Sequence, residues 1–447
     1  METRAKIIVK GIVQGVGFRP FVHRLAQELG LRGWVKNTTA GVAIEVEGDK
    51  RKVENFYEEI TLRKPAPAQI KEKEIVYEAP RGSQFFAIKE STSHQRKEAL
   101  VSPDIAICRD CLKELSDSSD RRHLYPFINC TNCGPRFTII EDLPYDRPFT
   151  TMKKFRMCPI CQKEYSDIFR RRYHAEPNAC PRCGPHIQLI KSRKSEGEAV
   201  GSARLGKFLL RGSEALRAAI DLLKKGKIVA IKGLGGFHLA CDAMNSIAVK
   251  RLRKRKGRPY KPFAIMVSDI ETAKKHCLVS EEEEDLLSDW QKPIVLLRKR
   301  KSVKISDLVA PNNSCLGVML PYTPLHYLLF SGMSSSLSAL VMTSGNLSDQ
   351  PIEIGNREAI SNLSHIADYF LIHNRDIRNR CDDSIVEGFS GTPIVIRRAR
   401  SYVPLPVELG YEVESVLACG AELKSTFCLT KGNYAFVSQY IGDLKDY

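Results

Sequence analysis

Eight of the fourteen cysteines in this chain fall as four Cys-x-x-Cys pairs, Cys108/Cys111, Cys130/Cys133, Cys158/Cys161 and Cys180/Cys183. The second set of four repeats the first at a constant offset of 50, and eighteen residues separate the two pairs within each set. Paired thiolates with two residues between them grip one tetrahedral Zn²⁺ from a tight knuckle turn, and a second knuckle closes a Cys₄ sphere. The spacing therefore predicts two zinc sites. With four thiolate ligands each, they are closed and structural, with no open position for a substrate. The equal gaps favour sequential pairing of the knuckles; an interleaved arrangement also supplies four ligands per metal.

The repeat extends beyond the ligands. Arg121-Arg122 recurs as Arg171-Arg172, and Cys133-Gly134-Pro135 as Cys183-Gly184-Pro185, so residues 104–190 read as a duplicated small module. A disulfide framework would need a secreted context. Met1 to Lys10 is instead a short charged and β-branched run, and no apolar stretch approaches the roughly eighteen residues of a membrane span. The expected location is the cytoplasm, with no membrane partner. Cys241, Cys277, Cys315, Cys381, Cys419 and Cys428 lack metal spacing and read as small buried hydrophobes. The 447 residues leave room for about three domains. A net charge of +17 points to nucleic acid, nucleotide phosphates or an acidic protein as partner classes without choosing among them.

Residues 1–92 read as a first domain. Lys6 to Val13 is a β-branched strand, Pro20 to Leu29 a helix with Phe21, Leu25 and Leu29 on one face, and Arg32 to Thr38 and Val42 to Glu47 two further strands. Lys50 to Leu62 is helical by Val53, Phe56, Tyr57 and Ile60, and Gln84 to Lys89 supplies a final strand. The order βαββαβ is ferredoxin-like. Between the first strand and helix lies Gly11-Ile-Val-Gln14-Gly15-Val16-Gly17-Phe18-Arg19, a glycine-rich turn able to aim several backbone N–H groups at one anion. Arg19 adds a planar cation suited to phosphate. With Gly33-Trp34-Val35-Lys36-Asn37 and Gly41-Val42, this segment resembles acylphosphatase. The resemblance implies that Gln14, Gly15, Val16, Gly17, Phe18 and Arg19 hold a phosphoryl group while Asn37 orients the attacking water.

Residues 191–212 are rich in Lys, Arg, Ser and Gly and read as a linker, preceded by a short strand near His186 to Ile190. Gly201 to Phe208 approaches a P-loop, but Phe208 stands where a magnesium-binding Ser or Thr is required. Residues 213–406 form a second large domain. Ser213 opens a helix carrying Leu216, Ala219, Ile220 and Leu223, and Gly226 ends it. Apolar runs at Lys227 to Lys232, Pro262 to Val267, Pro293 to Leu297, Leu340 to Met342, Tyr369 to Ile372 and Pro393 to Ile396 alternate with helical stretches, including a Ser280/Glu283 capping box. This predicts an α/β domain on a twisted mixed sheet. Lys256, Arg258 and Lys261 beside a proline-stiffened turn suit a triphosphate. Ser344 and Asn346 after a strand offer hydroxyl and amide contacts for an oxyanion or ribose.

Lys256-x-Arg258 followed by Ser344-x-Asn346 resembles the nucleotide-binding pattern of the YrdC family. Ile231 to Asp242, Leu320 to His326, Asn379 to Ser384 and Arg397 to Arg400, taken with the acylphosphatase-like and cysteine segments in this order, resemble the HypF family of hydrogenase-maturation carbamoyltransferases. The resemblance implies a multidomain α+β and α/β chain with a ferredoxin-like acylphosphatase domain, a duplicated Cys₄ zinc module and a YrdC-like domain. It implies hydrolysis of carbamoyl phosphate to carbamate, then adenylation by ATP with Mg²⁺ to carbamoyl-adenylate, and HypE as the partner that receives the carbamoyl group. Carbamate is unstable in water, which favours both sites in one polypeptide. Residues 407–447, with Gly420 to Phe427 and Ser438 to Asp443, resemble the start of that family's last, ASKHA-type domain. The expectation is a shortened form, or a second polypeptide that completes the domain, and a tail that is disordered, paired elsewhere or packed on the preceding domain. Two rival readings are a threonylcarbamoyl-adenylate synthase acting in tRNA modification and a zinc-containing RNA-binding protein using Tyr125, Phe127, Phe137 and Tyr173 as base platforms.

Overall fold

The computed structural model describes residues 2–65, 67–90, 99–192, 207–301, 304–331, 337–347, 350–389 and 391–443. The chain divides into two compact units, Met1–Pro103 with Asn129–Gly184, and Asp104–Ile128 with Pro185–Tyr447.

In the first unit, β1 (Glu2–Ile12), α1 (Phe18–Glu28), β2 (Arg32–Thr38), β3 (Gly41–Asp49), α2 (Lys50–Leu62), β4 (Gln69–Glu78) and β5 (Phe86–Ile88) form a five-stranded sheet in the order β4-β1-β3-β2-β5. Alternation along β1 and β3 buries Ala5, Ile7 and Val9 with Val42, Ile44 and Val46. Onto the sheet α1 lays Val22, Leu25 and Ala26, and α2 lays Val53, Phe56 and Ile60, the i, i+3, i+4 spacing of an amphipathic face. The ferredoxin-like expectation holds, with one correction. The strand that closes it is β4, antiparallel to β1, whereas the expected final strand near Gln84 to Lys89 is β5, an addition parallel to β2. β4 escapes periodicity because its Gln-Ile-Lys-Glu-Lys-Glu start lies on an exposed edge. Residues 129–184 carry little regular structure, two 3₁₀ turns (Arg147–Phe149, Thr151–Lys154) and the helix Pro159–Ser166. Side chains tie this segment together. Arg172 donates to the Asn129 carbonyl at 3.0 Å, and Asn129 to that of Pro177 at 2.9 Å.

The second unit is built on an eleven-stranded mixed sheet. Its strands are β6 (Ile187–Lys191), β7 (Lys207–Arg211), β8 (Val229–Lys232), β9 (Phe237–Asp242), β10 (Ala264–Val267), β11 (Ile294–Arg298), β12 (Cys315–Met319), β13 (Ala339–Ser344), β14 (Tyr369–His373), β15 (Ile385–Phe389) and β16 (Thr392–Arg397). They run in the order β16-β15-β11-β12-β10-β13-β9-β8-β14-β6-β7, with parallel pairs β10/β12, β11/β15 and β8/β14. The central strands are buried on both faces, with Ala230, Leu239, Ile265, Val318 and Val341 in one core. The helix Gly212–Lys224 contributes Ala215, Leu216, Ala219, Ile220 and Leu223, and the Ser280/Glu283 capping box is present. Within the expected linker, Lys207–Arg211 is a strand paired with β6, which shows that this part of 191–212 belongs to the sheet; residues 193–206, and with them most of the P-loop-like run, lie outside the described residues. Beyond the sheet, Val407–Val413, Leu417–Cys419 and Phe427–Val437 form a separate three-stranded sheet. Among the described residues no helix is long and apolar enough to cross a membrane.

Candidate functional site

The glycine turn is shaped by two left-handed glycines. Gly15 (φ 71°) and Gly17 (φ 75°) take a conformation that L side chains avoid, and Gly17 caps α1. A Cβ at Gly15 would also press on Arg136 and Tyr145. The turn is held from both sides. Gln14 donates from Nε2 to the carbonyls of Thr38 and Gly41 at 2.7 and 2.8 Å and accepts from the Tyr145 amide at 3.1 Å, while Arg136 donates to the Gly15 carbonyl. Gly15, Gly17, Phe18 and Arg19 line a cavity of about 20 Å³ together with Thr131, Arg136, Tyr145, His174 and Glu176. Gln14 and Val16 are buried outside that lining, so the Gln14 side chain supports the turn.

Arg19 is the charged centre of this cavity and is 7% exposed. Its Nη2 donates to Asp146 Oδ1 at 3.0 Å and Glu176 Oε1 at 3.1 Å. Asn37, fully buried, accepts from Nη2 and Nε at 3.2 Å when its amide oxygen faces the guanidinium. Burial opposes the charge on Arg19, but Asp146 and Glu176 outweigh it and hold the guanidinium protonated. Asp146 and Glu176 were not legible as site residues. One signal was available: at the 50-residue offset, Glu176 falls where the first copy has Pro126, a carboxylate in an otherwise apolar stretch.

The second predicted cluster assembles in the other unit. The helix Ser246–Lys256 starts on Asn245, which accepts from the Ile247 and Ala248 amides, and stops at left-handed Gly257. Its basic last turn complements the helix dipole. The stop turns Lys256 inward and brings Arg258 back along the cleft. All five predicted residues, Lys256, Arg258, Lys261, Ser344 and Asn346, line one cavity of about 660 Å³. Lys256 is 5% exposed, and its ammonium donates to the Ser344 carbonyl (2.7 Å), the Asn346 carbonyl (2.8 Å) and Asn346 Oδ1 (2.7 Å). Arg258 donates from Nη1 to Thr343 Oγ1 at 3.2 Å, and Lys261 is exposed.

The same cavity is lined by His238, Asp382 and Asp383, which appeared in the sequence only within longer family-like segments. His238 Nε2 lies 2.8 Å from Asp383 Oδ2, and Arg400 Nε donates to Asp383 Oδ1 at 2.7 Å while its guanidinium covers the Tyr322 ring at 3.5 Å. Despite burial, Arg400 and His238 hold the Asp383 carboxyl well below the usual carboxylate range, whereas burial raises that of Asp382. The C-terminal segment packs here too: Lys424 and Tyr440 line the cavity, joined through Asp443 at 3.0 Å each.

The cysteines gather as two sequential groups, Cys108/Cys111/Cys130/Cys133 and Cys158/Cys161/Cys180/Cys183, with all sulfurs of a group within 4.8 Å of one another. Individual separations of 3.6 to 3.9 Å match the edge of about 3.8 Å expected for a tetrahedron with Zn–S bonds of about 2.3 Å. Both groups are thus suited to zinc. Tyr125, Phe127 and Tyr173 are buried and Phe137 is half-buried, so these rings pack inside the protein and offer no base platform.

Family models match along the chain in the order acylphosphatase (residues 5–88), HypF finger (107–140 and 157–190), the Sua5_yciO_yrdC model described as telomere recombination (221–399) and HypF Kae1-like domain (411–447). Carbamoyltransferase HypF of Synechocystis sp. is 48% identical over 98% of this chain and 55% of that protein, and Probable carbamoyltransferase HypF of Methanocaldococcus jannaschii 46% over 100% and 56%. The acylphosphatase of Moorella thermoacetica is 48% identical over 20% of this chain and 95% of its own length. A crystal structure of full-length HypF in the phosphate- and nucleotide-bound form superposes at TM-score 0.92 and 47% identity, covering 100% of this chain and 57% of that one. The chain spans about half the length of the curated relatives it matches. Segments matching acylphosphatase, the paired HypF finger, the Sua5_yciO_yrdC model and the HypF Kae1-like domain follow one another along one chain that is 46–48% identical to these relatives from end to end, and the chain belongs to the HypF family.

Proposed function

We propose that the chain hydrolyses carbamoyl phosphate and activates the released carbamate with ATP, forming carbamoyl-adenylate and pyrophosphate for eventual transfer to the C-terminal cysteine of HypE, the precursor of the cyanide ligands of NiFe-hydrogenase. The observation that carries this reading is the convergence of Arg19 and the Gly15–Gly17 turn on one small cavity, with Asn37 held against the Arg19 guanidinium. Arg19 and the turn amides bind the phosphoryl group, and Asn37 orients a water. Attack at phosphorus breaks the bond to the carbamoyl oxygen, and carbamate leaves. At the second site a carbamate oxygen attacks the α-phosphorus of ATP, which reaches the site with Mg²⁺, and pyrophosphate leaves. Arg258 and Lys261 offset phosphate charge there. Lys256 has its ammonium engaged by Ser344 and Asn346, so it shapes the pair that holds carbamate or ribose. The two Cys₄ groups bind structural zinc. The functional division is 1–92, 104–190, 213–406 and 407–447, with the Lys207–Arg211 strand of 191–212 counted with the third.

A threonylcarbamoyl-adenylate synthase would share the second site and has no use for the first. The test is ATP turnover by the full chain. Formation of AMP and pyrophosphate is expected with carbamoyl phosphate and not with threonine plus bicarbonate; the reverse preference overturns the proposal.

A further inference from the structure

Two carboxylates, Asp146 from the stretch between the two cysteine groups and Glu176 from within the second, meet the one guanidinium of the anion turn, an arrangement the hydrolytic chemistry does not itself require. Asp146 and Glu176 share Arg19 Nη2, whereas Nη1 makes no hydrogen bond among the described residues and is the edge left for a ligand. Glu176 is buried, and its second oxygen accepts from the Tyr165 hydroxyl at 2.8 Å and the Arg147 amide at 2.9 Å. The charged and titratable groups facing it are therefore Arg19 on α1, Asp146 and Arg147 at the 3₁₀ turn, Tyr165 on the helix Pro159–Ser166, and His174 in its own segment. With both carboxylates ionised, Arg19 and its two partners carry one negative charge, and the guanidinium groups of Arg136, on the Gly15 carbonyl, and Arg147, on the Glu176 carbonyl, are the other cations close by. A phosphoryl dianion brought into so small and desolvated a space sets two further negative charges beside the Glu176 carboxylate and favours its protonated form.

Resting on the reading of this turn as a phosphoryl site, we infer that Glu176, with Asp146, is a positioning residue for Arg19 and that its carboxyl takes a proton from bulk water when a phosphoryl dianion binds. One negative charge is removed as two enter, and Glu176 keeps its place against Tyr165 and the Arg147 amide. The oxygen left for the proton is Oε1, on the side of Arg19 and Asp146. Burial pushes the Glu176 carboxyl up to about 7, against the pull of Arg19 and with the help of Asp146, so the proton is available near neutral pH. His174, held down to about 4 by burial and by Arg19, stays neutral there.

Sulfate is the probe, because it remains a dianion across the range. Calorimetric titration of the full chain with sulfate, in buffers of different ionisation enthalpy, should show close to one proton taken up per sulfate above about pH 8 and little at about pH 6. The affinity should fall about tenfold per pH unit above 7. Glu176→Gln should bind without uptake and with affinity flat over that range, and Glu176→Asp should restore the pH dependence. Arg19-dependent binding by the wild type without proton uptake, or uptake retained in Glu176→Gln, would overturn the inference. Should Glu176→Gln fail to fold, the wild-type uptake decides alone. Sulfate binding that is absent, or equal in Arg19→Ala, would overturn the phosphoryl-site reading and this inference with it.

Discussion

The turn around Arg19 and the cleft around Lys256 both set basic side chains in a cavity, yet they are built on opposite plans. At the first, one guanidinium is buried against two carboxylates and an amide in about 20 Å³. At the second, about 660 Å³ is lined by cations of graded exposure, from buried Lys256 to exposed Lys261. A buried charge is tolerable only when paired, so the small site holds its arginine rigid and leaves one edge free. A nucleotide needs area and several contacts, and the larger site grades its cations from the buried Lys256, engaged by Ser344 and Asn346, through half-buried Arg258 to exposed Lys261. The difference teaches that a buried lysine in such a pattern can be held by the protein's own carbonyls.

Four substitutions probe that contrast. The largest effect is expected for Arg19→Ala, which should lower phosphate release from carbamoyl phosphate by about 10²–10³-fold; release near the wild-type rate would break the comparison at its first term. Next, Lys256→Met should lower stability by about 2–4 kcal/mol in urea denaturation, because it removes three hydrogen bonds made by a buried charged donor, to the Ser344 and Asn346 carbonyls and Asn346 Oδ1. Stability within error of wild type would return Lys256 to the role of a phosphate ligand. Arg258→Ala should raise KM for ATP about tenfold, the loss of about one charged contact, and lower the denaturation midpoint by less than Lys256→Met, because its bonds to the Lys261 carbonyl, Thr343 Oγ1 and the Pro262 carbonyl are more exposed. The smallest effect is a slope. Glu176 carries a folded-state pKa of about 7 above an ordinary value of 4.5, so its contribution to stability is complete below about 4.5 and is lost as pH rises through about 7. The fall in denaturation midpoint across that window should be flatter in Glu176→Gln.

What the sequence made legible follows from where the information is local. The cysteine pairs were readable because a knuckle is set by two residues, and the pairing 108/111/130/133 emerged as the equal gaps favoured. The glycine turn and the five cleft residues were readable for the same reason. β4 was missed because an edge strand rich in Lys and Glu has no apolar period, and β9 because a strand buried on both faces, Phe237–Asp242, need not alternate. Asp146 and Glu176 were out of reach because their meaning depends on Arg19, more than a hundred residues away. The engagement of Lys256 by Ser344 and Asn346 is likewise a tertiary fact.

The claim on which the rest depends is that two reactions occur in series at two sites, and chemical bypass of the first tests it most directly. AMP formation from ATP would be measured for the wild-type chain and Arg19→Ala, with carbamoyl phosphate or with freshly dissolved ammonium carbamate. The account predicts that Arg19→Ala forms AMP from carbamoyl phosphate about 10²–10³-fold more slowly than wild type and forms it at the wild-type rate from carbamate. Undiminished AMP formation from carbamoyl phosphate in Arg19→Ala, or no rescue by carbamate, would contradict it.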